Sequence, residues 1–176
     1  MSRAFVKEPD GDQVPDDQPE LPISLHPNFV TVEGLAQLRE QLEEARRNLS
    51  HLRTAETQDM KNKMQQGKLG RDIRYLEQRL SSAILVDAAK QPEKQVAFGA
   101  WILLEDTEGK EYRYRIVGED EASPAENKIS WVSPLAKAAL DAEVGELIVW
   151  QRPVGNLELE LLALSYTGPC RDVLPG

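Results

Sequence analysis

Two apolar runs between positions 35 and 83 mirror each other about a point near Asp59, and few architectures can satisfy that symmetry. Leu35, Leu38, Leu42, Ala45, Leu49 and Leu52 alternate steps of three and four, the seam of a coiled-coil helix. Leu69, Ile73, Leu76, Leu80 and Ala83 do the same in descent. Reflection pairs Leu35 with Ala83, Leu38 with Leu80, Leu42 with Leu76, Ala45 with Ile73 and Leu49 with Leu69; Leu52 then meets Gln66, where the apolar seam ends. The pattern predicts an antiparallel coiled-coil hairpin over 31–89 with its tip near 56–63. Thr31 offers an N-cap oxygen, and Glu33 a carboxylate in the first turn where the helix dipole favours one. Gly67 and Gly70 weaken the second helix near the tip and leave a competing turn open at Gly67–Gly70, which would deprive Leu49 and Leu52 of partners.

Past Pro92 the period changes to two. Phe98–Leu104 and Tyr112–Val117 flank a Thr107–Lys110 turn, Val144–Gln151 and Leu157–Tyr166 add two strands, and Ser133 caps a short helix over Pro134–Leu140. The predicted fold is α+β: a helical hairpin, then a β-rich domain over 96–167 with one short helix. Residues 1–28 hold five prolines and six acids with few large apolar groups, so 1–30 reads as a disordered acidic leader and 168–176 as a flexible tail.

Composition excludes several functions. No apolar stretch approaches the roughly 20 residues of a membrane span and no signal-peptide pattern opens the chain, so a cytoplasmic protein without membrane contact is expected. One cysteine, Cys170, and two histidines, His26 and His51, give no zinc pattern, and neither a metal nor a cofactor is expected. Net charge is −9, yet residues 31–89 alone carry +1 against −4 before them and −6 over 90–167. The hairpin is the one segment that is not acidic.

Several strings resemble the Gre transcription elongation factors (GreA/GreB), the GreB branch most. Thr31-Val-Glu33-Gly34 with Leu38 and Leu42 opens the arm in that family's way, and Arg74-Tyr75-Leu76 and Val86-Asp87 match its descent. Phe98-Gly-Ala-Trp101, Arg113-Tyr-Arg115-Ile-Val-Gly118-Glu-Asp120-Glu121, Ile129-Ser130, Ser133–Leu140 and Val144-Gly145-Glu follow in its order and spacing. The resemblance covers residues 31–167. It implies a coiled coil that enters the secondary channel of bacterial RNA polymerase, near the nascent RNA 3′ end, and an FKBP-like domain that docks on the channel rim through Ser133 and Pro134.

One departure bears on chemistry. The arm is about thirteen residues shorter than the family pattern, which by helix rise takes roughly 10 Å off its reach. The family's Gly-Asp-x-x-Glu-Asn-Ala tip, whose acids hold a second magnesium ion for two-metal hydrolysis of RNA, has no counterpart. Glu56 and Asp59 stand at the tip three apart but in reversed order: a displaced ligand pair on one reading, solvated turn residues on the other. Arg46, Arg47, Arg53, Lys61, Lys63, Lys68, Arg71 and Arg74 are candidate contacts to RNA or channel charge, or solvated flanks of a coiled coil. Ser133 and Pro134 serve equally as helix cap and as rim contact, and Val132 stands where the family usually has Asp or Asn. Trp101, Trp131 and Trp150 read as core or edge residues rather than a ligand cage. The expected function is a non-enzymatic polymerase-binding regulator. A cleavage factor using Glu56 and Asp59 is the alternative, and an FKBP-like domain alone would suggest a peptidyl-prolyl isomerase, although fold does not imply function.

Overall fold

Alternating steps of three and four put the apolar residues of the first helix on one face, and that face is buried. The computed structural model describes residues 19–56 and 59–170. Helix α1, Val32–Thr54, buries Leu38, Leu42, Ala45 and Leu49. It packs antiparallel on α2, Met60–Ser81, with Leu35, Leu69, Ile73, Leu80 and Ala83 partly buried around the seam. At about 1.5 Å per residue each helix is roughly 33 Å long. Gly67 and Gly70 lie inside α2, so the competing turn does not form.

The reversal is earlier than the sequence suggests. Asp59 is the N-cap of α2 and accepts the Asn62 amide at 2.8 Å, so Lys61 and Lys63, expected in the turn, belong to the helix. Where the apolar seam stops, Asn62 Nδ2 and Gln66 Nε2 donate to the Leu52 carbonyl at 3.2 and 3.4 Å and close the end of the arm with polar contacts.

Two short strands tie the feet of the helices together. Strand β1, Phe29–Val30, leads into α1, and β2, Ile84–Leu85, leaves α2; they pair in parallel. Asn28 is buried and donates to the Arg79 carbonyl at 2.7 Å and to Ser82 Oγ at 3.2 Å. The expected leader therefore yields Asn28, Phe29 and Val30 to the fold, because their backbone and amide groups complete the foot of the arm; residues 1–18 lie outside the described residues.

The rest of the chain builds a five-stranded sheet of order β5-β4-β3-β7-β6. Its strands are β3 Trp101–Asp106, β4 Glu111–Val117, β5 Lys128–Ser130, β6 Leu147–Trp150 and β7 Leu157–Ser165. All neighbours are antiparallel except β4 and β5. Helix α3, Pro134–Ala139, covers one face, and Leu135, Ala136 and Ala139 meet Ile102, Leu104, Ile116, Leu159 and Leu161 in a dry core. Strand β6 is shorter than its apolar run because residues 143–146 turn, with Gly145 at φ 92° and Glu146 N donating to the Glu143 carbonyl. The three tryptophans are each partly buried. Trp131 and Trp150 pack on the core, and the Arg115 guanidinium lies over Trp101 at 5.3 Å. Of the expected tail, residues 168–170 are described, and the Cys170 thiol donates to the Trp101 carbonyl at 3.3 Å.

Candidate functional site

A helical arm can act at a distance only if its base is held, and the base is where the buried charges of this chain meet. Arg79 projects from α2 away from the seam and is 2% exposed. Its Nε donates to Asp120 Oδ2 at 2.5 Å, and Glu119 lies 3.8 Å from its Nη2. Tyr75, one turn earlier on α2, donates its hydroxyl to the other Asp120 oxygen at 2.5 Å. Burial first, then the Asp120 carboxylate, pushes this phenol up to about 12. A buried ion pair of this kind costs desolvation, and its extra hydrogen bonds offset that cost.

The α1 side repeats the arrangement. Thr31 Oγ1 accepts the Gly34 amide at 2.9 Å, capping the helix, and donates to the buried Glu121 carboxylate at 2.5 Å. Arg115 on β4 reaches Glu33 at 3.1 Å and Glu121 at 3.9 Å, and Lys128 on β5 approaches Glu121 at 3.9 Å. Backbone hydrogen bonding, aided by Arg115, holds the Glu33 carboxyl below the usual carboxylate range. Two glycines permit this closeness: a Cβ at Gly34 would collide with the Glu121 carboxylate, and one at Gly118 would stand 2.5 Å from the Phe29 carbonyl oxygen. The strings Thr31–Gly34, Arg74–Leu76 and Gly118–Glu121 are thus far apart in sequence and face one another across a single joint.

The candidate tip and rim residues lie at opposite ends of this frame. Glu56 and Asp59 are both exposed at the reversal, and Asp59 Oδ1 is engaged as the cap of α2. Ser133 Oγ accepts the Ala136 amide at 3.3 Å as N-cap of α3, with Pro134 exposed in the first turn. Trp131, just before them, packs against Phe29 at 5.0 Å between ring centroids and against His26 at 5.9 Å. The basic candidates divide. Arg46 bonds Glu43 and Glu77 at 2.9 and 2.8 Å, Arg74 holds Glu20 at 2.6 Å, and Arg71 donates to the Pro19 carbonyl at 3.3 Å. Arg47, Arg53, Lys61 and Lys68 are exposed, while Lys63 is half-buried. Arg79, Tyr75 and Asp120 were not among the expected site residues. The signal available for them was an arginine on the descending helix and an acidic triplet after Gly118.

An arm of two helices seated through a buried charged joint on a small mixed sheet defines an arm-bearing class of fold. Residues 91–166 match the family described as Transcription elongation factor, GreA/GreB, C-term. Transcription elongation factor GreA of Solidesulfovibrio magneticus is 31% identical over 153 residues, covering 80% of this chain and 93% of that protein. GreB of Neisseria meningitidis serogroup B is 41% identical over 100 residues, covering 56% of this chain and 61% of GreB, so the match spans about three-fifths of that relative. The GreA factor homolog 1 protein of Thermus thermophilus aligns over 80% of this chain and 99% of its own at 24% identity and a TM-score of 0.38. The chain belongs to the GreA/GreB family of transcription elongation factors.

Proposed function

We propose that this chain binds bacterial RNA polymerase, docks through the α3 turn at Ser133 and Pro134, and inserts its arm into the secondary channel without stimulating RNA cleavage. It modulates initiation or elongation by occupancy and competes for the channel with cleavage-competent relatives. The observation that carries this reading is the use of Asp59: its carboxylate caps α2. Releasing it to ligate a metal would cost the helix about 1 kcal/mol. Glu56 precedes it rather than following it, the reverse of the order that the resemblance calls for, and the arm is roughly 10 Å short by helix rise. A carboxylate ligates magnesium only at about 2 Å, and that shortfall supports the reading. The exposed basic residues of the arm would face the polyanionic channel and the RNA 3′ end.

The test is a backtracked elongation complex supplied with the purified protein. Binding without faster cleavage is expected, and Ser133→Glu combined with Pro134→Ala should weaken binding through a desolvated charge at the interface. Cleavage by the native protein that disappears in Glu56→Ala or Asp59→Ala would overturn the proposal and make the tip acids catalytic.

A further inference from the structure

Strand β6 ends the sheet, and among the described residues no strand pairs with its outer edge. Which backbone groups that edge presents follows from the register. Leu161 N donates to the Glu146 carbonyl at 3.0 Å, and bonded pairs alternate along an antiparallel ladder, so Ile148 and Trp150 turn their backbone groups towards Leu159 and Leu157 of β7. Leu147 and Val149 turn theirs away. Their side chains are outside as well: Leu147 is 70% exposed and Val149 45%, whereas Ile148 is buried in the core beneath α3. The run 144–151 holds neither lysine nor proline, the residues that commonly guard an edge.

The chemistry around this edge has one sign. Glu160 stands opposite Leu147 and Glu158 opposite Val149, and all four side chains share one exposed face. Residues 141–151 and 157–166 together hold five acids, Asp141, Glu143, Glu146, Glu158 and Glu160, and no base. A lysine or arginine on a strand laid beside β6 rests its aliphatic stem on Leu147 or Val149 and carries its charge towards Glu160 or Glu158. A second copy of β6 brings the same acids together instead, on chains of net charge −9 each.

We propose that the β6 edge takes up, by strand addition, an extended segment of a partner protein in which lysine or arginine alternates with apolar residues. Main-chain hydrogen bonds to Leu147 and Val149 supply the affinity, and the acids of β7 select the sequence. This inference concerns the sheet of the free protein and stands apart from docking through the α3 turn.

The experiment titrates the full chain, isotope-labelled for amide detection, with a blocked peptide that alternates lysine with valine. With peptide well above its Kd, hydrogen exchange at the Leu147 and Val149 amides should slow by about tenfold or more, while Ile148 and Trp150, already in the ladder, stay unchanged. A second peptide has the same side chains but methylated backbone nitrogens at its lysines; it keeps the charge, cannot complete the ladder, and should bind about tenfold more weakly. Glu158→Gln combined with Glu160→Gln should weaken the first peptide by about the same factor. Val149→Pro, which removes an outward N–H and leaves the bonds to β7 in place, should weaken it too. Equal binding of the two peptides, slowed exchange that bypasses Leu147 and Val149, or no effect of the glutamine pair would overturn the proposal. Protection of Leu147 and Val149 that grows with protein concentration in the absence of peptide would also overturn it, and would assign the edge to a second copy.

Discussion

One hydroxyl group does two jobs at the foot of the arm: Thr31 Oγ1 accepts from the first turn of α1 and donates to Glu121 beneath it. Thr31→Ala should therefore cost more than an exposed cap, about 2 kcal/mol in urea unfolding, because Glu121 also loses a donor in a buried setting. Tyr75 offers a cleaner readout. Its folded value near 12 lies above the ordinary tyrosine value, so the neutral phenol stabilises the fold fully below about pH 10, and that stabilisation fades as pH rises through 12. A spectrophotometric titration should show a phenol ionising near 12, and Tyr75→Phe should remove that step. The same variant should soften the alkaline loss of stability. A native titration without a step near 12 would show that Asp120 does not hold the hydroxyl.

Among the elements, α1 depends on α2 along a narrow seam, and Leu42 is buried near its middle. Leu42→Asp should abolish the hairpin, since an unpaired buried carboxylate outweighs the few kcal/mol that a two-helix seam contributes. Trp150 packs on the sheet core whereas Trp131 touches Phe29 at the foot of the arm, so tryptophan fluorescence should change only in part while helical circular dichroism falls. A collapse of both signals would mean that the sheet does not stand without the arm. The elements in question were legible where a period ran long enough to be counted: the seam residues, the β3–β4 hairpin and the Ser133-capped helix all follow from spacing. What escaped detection has a physical reason in each case. Strands β1 and β2 are two residues each, shorter than any alternation can register, and β5 is three residues held by parallel pairing to β4. Arg79 is a charge at a position that a helical wheel assigns to solvent, and only the Gly118–Glu121 segment arriving from another part of the chain buries it. The candidate tip was legible in composition but not in use, because a cap and a ligand are the same carboxylate in sequence.

At the scale of the whole molecule, tip and α3 turn act together only if the angle between them is fixed. Arg79 is central to that angle. Arg79→Leu leaves Asp120 buried without its cation and should cost roughly 3–5 kcal/mol at the joint. Spin labels at Lys61 and Lys137, both exposed, should give one narrow distance distribution in the parent chain and a broad one in Arg79→Leu. An equally narrow distribution in the variant would move the rigidity elsewhere, to the paired strands β1 and β2.

The close approach of Gly118 to the Phe29 carbonyl has a further consequence for how such proteins diversify. Because aim is set entirely at the foot, where two backbones touch, the number of heptads beyond it is a separate variable. Deleting or inserting whole repeats alters the reach of the arm without altering its bearing, much as a drill bit is exchanged while the chuck stays put. A lineage, or an experimenter, can thus convert one family member's range into another's by editing the distal coil alone.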